Sequence, residues 1–206
     1  MTILSELRRL SVNRPMTLTE ARVVAERQAR RLRQRLDVDD EYTFPATTIG
    51  ELPNIDVLLE HDETFNESGI TGWNPKRRSW QILINNEHHV HRQRFTLLHE
   101  YKHIVDYPIY KYAYPDVGAI ASRERQEAIC DYFAACVLMP KLLVRRAWTE
   151  HRQDPRGLAR LFGVSPAAMR YRLHDLGLIE PNRHPQQFFR TQPEAPPAIL
   201  PTASAA

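Results

Sequence analysis

Residues 95–107 read FTLLHEYKHIVDY, and this stretch constrains the chain more than any other. A helix there carries an apolar stripe of Phe95, Leu97, Leu98, Ile104 and Val105. Beside that stripe stand His99, Glu100 and His103, at H-E-x-x-H spacing. Ionisable groups next to a buried stripe cost free energy unless something compensates them, and a metal ion is one such compensation. Histidines at i and i+4 share a helical face and can reach one ion. Neutral imidazoles suit zinc, which takes N, O and S donors in a tetrahedral arrangement. Glu100 points about 100° away from His99, where it can act as a base on water without ligating.

A catalytic zinc needs a third protein ligand and an open fourth position. The stretch SRERQEAICDYFAACVL predicts a helix over 122–138 that ends at Pro140. On it Glu127 and Asp131 are i and i+4, on a face that interrupts the apolar surface of Ile129, Phe133, Ala134, Val137 and Leu138. Glu127 could ligate while Asp131 accepts a ring N–H from a ligand histidine. Asp131 or Glu124 as the ligand is the internal alternative, and a solvated acidic stripe is the alternative without a metal.

The 206 residues suffice for one sizeable core plus an appendage, and 42% apolar with 26% charged residues fits a globular chain. No run approaches the roughly 20 apolar residues of a membrane span, and the N-terminus lacks a signal-peptide core. Cys130 and Cys136 lie six apart on one predicted helix and point away from each other, so a mutual disulfide is not expected. These features predict a cytoplasmic protein with reduced thiols. The net charge of +3 is unevenly spread. Residues 1–36 hold nine Arg against three Glu, 37–140 nine Lys/Arg against seventeen Asp/Glu, and 141–190 ten against four. Basic ends can face nucleic acid or an acidic partner, although solvated basic helices account for them as well.

Residues 17–36 predict an amphipathic helix capped by Thr17 or Thr19, with Glu20 placed for a capping box with Thr17. NIDVLLE (54–60), GITGW (69–73) and SWQILIN (79–85) predict strands, the last two joined by the polar turn 74–78. A small antiparallel sheet follows from that pattern. A long aromatic and proline-containing loop is expected over 107–116. Beyond Pro140, DPRGLARLFG (154–163) predicts a helix stopped by Gly163. Ser165-Pro166 starts another that stops at Gly177. Two helices joined by a Gly-containing turn suggest a helix-turn-helix. From 181 onward six of 26 residues are Pro, which predicts a disordered tail.

RFTLLHEYKH followed by EAICDYFAACVLMP resembles the ImmA/IrrE family of zinc metallopeptidases. The matching positions are Arg94, Phe95, His99, Glu100, His103, Glu127, Asp131, Phe133, Ala134, Ala135, Leu138, Met139 and Pro140. The likeness spans roughly 17–180 and includes FGVSPAAMRYRLHDLGL. It implies an α+β, zincin-like metallopeptidase domain, expected over 1–140, followed by a helix-turn-helix-like segment over 141–180; composition adds the Pro-rich tail over 181–206. It implies Zn2+ held by His99, His103 and Glu127, Glu100 as catalytic base, and Asp131 behind a ligand histidine. The implied activity is endopeptidase cleavage of a regulatory protein, typically a helix-turn-helix repressor. Cys130 stands where family members often carry Ala, and a thiolate there would compete as a ligand.

A reading of a different class is a DNA-binding regulator whose metal site is structural or vestigial. Arg170, Arg172 and His174 would then meet phosphates or guanine edges from a recognition helix. A partner protein of antitoxin type is a third possibility, and no membrane partner is expected. His88, His89 and His91 could form a second metal site, but a polar link between strand and helix suits them better. Among Tyr101, Tyr107, Tyr110, Tyr112 and Tyr114, one could stabilise an oxyanion.

Overall fold

The computed structural model describes residues 1–61, 65–114, 119–150 and 153–180, and additionally the backbone of 198–199; within 119–121 only the backbone is described. It is an α+β fold.

α1 (Ile3–Arg9) begins at Thr2, whose side chain accepts a hydrogen bond from the Ser5 backbone. It docks on α2 (Leu18–Arg35) through Glu6, which meets Arg31 at 3.4 Å and pairs with Arg35. The expected capping box of α2 is present, with Thr17 and Glu20 satisfying each other's backbone N–H groups. Ala21, Val24, Ala25, Ala29 and Leu32 recur at helical spacing and are buried. A 3-10 helix spans Ala46–Glu51.

β1 (Ile55–Glu60), β2 (Gly69–Asn74), β3 (Ser79–Asn85) and the two-residue β4 (Ala198–Ile199) lie in the order β1-β3-β2-β4. β2 and β3 form the expected antiparallel hairpin, with Trp73 opposite Trp80. The Asn74 side chain accepts from the Lys76 and Arg77 backbones at 3.0 Å, closing the turn. One expectation is corrected: the sheet is mixed, because β1 runs parallel to β3. Trp80, Ile82 and Ile84 are buried, so β3 takes the centre. β1, with exposed Leu58 and Leu59, takes one edge. The chain then runs back through β2 on the far side of β3.

α3 (Val90–Asp106) carries the H-E-x-x-H stretch and α5 (Ala119–Leu138) carries Glu127 and Asp131. Between them the short α4 (Tyr110–Ala113) interrupts the expected loop. From Ile129 to Met139 α5 is buried on nearly every side, because α2 and α3 pack against it. A helix apolar all round belongs in the middle of a core. α6 (Lys141–Glu150), α7 (Pro155–Phe162) and α8 (Pro166–Asp175) follow, and Leu143, Phe162, Met169 and Leu173 extend the same buried cluster. α7 ends at Gly163, whose φ of 60° lies in the left-handed region. Arg94 donates to the Gly163 carbonyl and to Phe44 O at 2.7 Å, tying α7 and the 3-10 helix approach to the start of α3. Among the described residues no helix is long and apolar enough to cross a membrane. The expected tail lies outside the described residues, apart from the backbone of 198–199, which pairs in parallel with Gly72 and Trp73.

Candidate metal centre

α3 places His99 and His103 one turn apart on the face turned to α5. Their Nε2 atoms are 3.1 Å apart. Glu127 closes the set: one carboxylate oxygen lies 3.1 Å from His99 Nε2 and the other 3.6 Å from His103 Nε2. Tetrahedral zinc with bonds of about 2.0–2.1 Å would set neighbouring donors about 3.3 Å apart. The two nitrogens and the carboxylate therefore have the spacing of donors to one ion. All three side chains are largely buried.

Asp131, one turn beyond Glu127 on α5, meets His99 Nδ1 at 2.8 Å. That contact turns Nε2 toward His103 and Glu127 and fixes the ring. Burial alone would lower the His99 pKa, but Asp131 and Glu127 outweigh it and raise it well above the ordinary imidazole value. For Glu127 burial pushes up, while the contacts with His103 and His99 win and hold it well below the usual carboxylate range. The cluster is thus a pair of imidazoles faced by two carboxylates, a donor set that a divalent cation would neutralise.

His103 Nδ1 has different neighbours: Gln126 Nε2 at 3.4 Å and Cys130 Sγ at 3.6 Å. Donor atoms of His99, His103 and Cys130 also lie within 4.8 Å of one another, so a His-His-Cys group could hold a metal. Burial pushes the Cys130 thiol well above its ordinary value, which disfavours the thiolate a metal needs. Its sulfur also faces the ring nitrogen turned away from Glu127. Cys130 was singled out from the sequence as a competing ligand, while Gln126 was not. Their signal is the i, i+4 spacing one residue ahead of Glu127 and Asp131.

Glu100 is buried, with its side chain against the first residue of β2. A Cβ at Gly69 would collide with Thr96 and come within 3.2 Å of Glu100 Cγ. Glycine thus lets β2 approach Glu100 closely. Among the described residues no side chain is hydrogen-bonded to the Glu100 carboxylate.

The remaining candidates disperse. His89 caps α3 by accepting from the His91 backbone at 3.2 Å, and His91 Nδ1 lies 2.9 Å from Gly163 O. Those rings serve the helix start and do not converge with His88. Tyr114 donates to Asp106 and Tyr112 to Pro108 O, while Tyr101 is buried with its hydroxyl unpartnered. Tyr107 stacks edgewise on Trp80, with centroids 4.8 Å apart. Arg170 is exposed on α8, but Arg172 must be withdrawn as a nucleic-acid contact. It is 1% exposed and donates to Met139 O at 3.0 Å and to Asp175 at 2.8 Å. Its guanidinium anchors α8 to the end of α5 and has no free edge for a phosphate or a base.

The family model described as IrrE N-terminal-like domain, Peptidase M78, matches residues 51–174. No curated protein matches the chain. A solved structure described as a Mycobacterium tuberculosis transcriptional regulator shares the fold, with a TM-score of 0.54 at 17% identity. The match covers 84% of this chain and 52% of that one, so the chain spans about half of that structure's length. With H-E-x-x-H on α3 and Glu127 brought to it from α5, and with the family model running from the sheet to α8, the chain belongs to the Peptidase M78 family of IrrE N-terminal-like domains.

Proposed function

We propose that the chain is a zinc-dependent endopeptidase that cleaves a regulatory protein. The observation that carries this is the meeting of His99 Nε2, His103 Nε2 and Glu127 at 3.1–3.6 Å. Two imidazoles and a carboxylate are the donor set of many catalytic zinc sites, which keep one position open. Glu127 is preferred to Cys130 because it faces the nitrogens that converge. When bound there, zinc supplies Lewis acidity that lowers the pKa of water and polarises a carbonyl.

The chain's own residues do the rest. Asp131 holds His99 in the orientation that presents Nε2. Glu100 accepts a proton from the attacking water and returns it to the leaving amine nitrogen. β2 lies over Glu100, and its outer edge takes strand pairing, as Ala198–Ile199 illustrates. An extended peptide could be held along that edge by main-chain hydrogen bonds. The resemblance of the two metal-helix segments to ImmA/IrrE proteins points to a helix-turn-helix repressor as substrate. DNA binding by α8 would rest on Arg170, since Arg172 is buried.

Glu100→Gln keeps the shape and removes the base. With a repressor-derived peptide library read by mass spectrometry, we expect cleavage to fall about 10³-fold while zinc content stays at the wild-type level. Equal cleavage by wild type and variant would overturn the assignment of Glu100 and of the reaction.

A further inference from the structure

A cavity of about 700 Å³ opens between α2, the loop after it and the start of α6. Cys136 forms part of its floor. It lies nine residues beyond Glu127 on α5, two and a half turns, which puts it on the opposite face of that helix from the metal centre. The cavity therefore belongs to a different surface, and its volume is that of a small-molecule site.

Its walls are cationic. Arg27 and Arg30, i and i+3 on α2, line it together with Lys141 at the start of α6. Among the described residues none of the three has a carboxylate within 4.0 Å. Glu26, Asp39 and Asp40 also line the cavity, but Asp40 already faces Arg146 at 3.9 Å. A second observation is independent of these surface charges. Arg33 lines the cavity, is 2% exposed, and its Nε has no partner. Its terminal nitrogens donate only to backbone carbonyls, of Val137 at 3.0 Å and of residues in the 38–41 loop. Burial lowers the pKa of this guanidinium, while the Asp39, Glu41 and Asp40 carboxylates nearby oppose the shift without pairing with it. The first turn of α6 adds backbone N–H groups that no helical carbonyl can reach. Val23, Leu142 and Leu143 supply apolar walls.

We infer that this cavity binds a phosphorylated small molecule of nucleotide size, its phosphates on Arg27, Arg30 and Lys141 and its apolar body against α6. Guanidinium and ammonium groups around a helix N-terminus suit phosphate oxygens. Arg33 ties the cavity to Val137 O near the end of α5.

Isothermal titration calorimetry of the full chain tests this with adenosine triphosphate and with inorganic pyrophosphate as probes. We expect adenosine triphosphate to bind with Kd below about 1 mM, and Arg27→Glu/Arg30→Glu to weaken it about tenfold or more with an unchanged ligand-free Tm. Lys141→Ala, on the opposite wall, should weaken binding in the same sense and serves if the double variant is unstable. Pyrophosphate binding as tightly as the nucleotide would assign recognition to the phosphates alone; tighter nucleotide binding would assign a share to the apolar wall. No binding of either probe, affinity untouched by the substitutions, or displacement of the nucleotide by a single-stranded oligonucleotide that binds more tightly would overturn the inference.

Discussion

Two adjoining faces of α3 bury comparable polar chemistry to opposite ends. On the face turned to α2, Lys102 donates to Asp106 at 2.6 Å and to Gln28 at 2.7 Å. Tyr114 donates to the other Asp106 oxygen, and Gln28 donates to Leu7 O at 3.0 Å. Every charge there has its counterpart within the chain, and the cluster is closed. On the face turned to α5, His99, His103 and Glu127 crowd their donor atoms onto one point, and among the described residues no Lys or Arg is ion-paired with Glu127 or Asp131. Burial of polar groups marks neither face as a site. Convergence of lone pairs on a common centre does.

Removing the lysine from the closed face should give the largest stability change. Lys102→Met removes the cation paired with the fully buried Asp106 and leaves it only the Tyr114 hydroxyl, which costs about 3–5 kcal/mol. Chemical denaturation would read this, and Lys102→Met/Asp106→Leu should recover most of the loss because an apolar pair of similar volume replaces the ion pair. Zinc affinity of the folded double variant should match wild type. A loss of zinc in it would show that the two faces are one network.

The converse holds on the open face. Asp131→Asn should lower zinc affinity about 10–100-fold, by competition against a chromophoric chelator, with a small change in denaturation midpoint. A large destabilisation without a zinc effect would move Asp131 into the structural class of Asp106.

The smallest effect separates the faces by pH. The metal-free chain holds His99 protonated above the ordinary imidazole range. A raised folded-state pKa contributes stability that is complete below the unfolded value near 6.5, and that stability is lost as pH rises through the folded value. Zinc must displace that proton, so its affinity should rise with pH, and calorimetry in buffers of different ionisation enthalpy should detect proton release on binding. Binding without proton release would mean that His99 is already neutral.

Both faces were only half legible in the sequence. H-E-x-x-H puts two imidazoles on one helical face, and the 127/131 spacing puts two carboxylates on another, through helix geometry alone; that Glu127, and not Asp131 or Glu124, joins the imidazoles is only implied by the family resemblance. The capping box at Thr17 and the stop at Gly163 are equally local. Lys102 and Asp106 have the same i, i+4 spacing, but their burial depends on Gln28 and Tyr114, which only the tertiary fold brings there. Arg172 was misjudged for that reason: on a basic helix it looks like a surface cation, and the Met139 carbonyl and Asp175 draw it inward. The parallel pairing of β1 with β3 is likewise set by which strand buries most. α6 follows Pro140, whose side chain has no capping oxygen, so only its packing through Leu143, Val144 and Ala147 announces it.

Zinc content by mass spectrometry, on purified wild type beside Glu127→Ala and Cys130→Ala, goes directly to the donor set at the open face. We expect one zinc per chain in wild type and in Cys130→Ala, and a small fraction of that in Glu127→Ala. Full zinc in Glu127→Ala together with its loss in Cys130→Ala would move the ion to the thiol and contradict the assignment of Glu127.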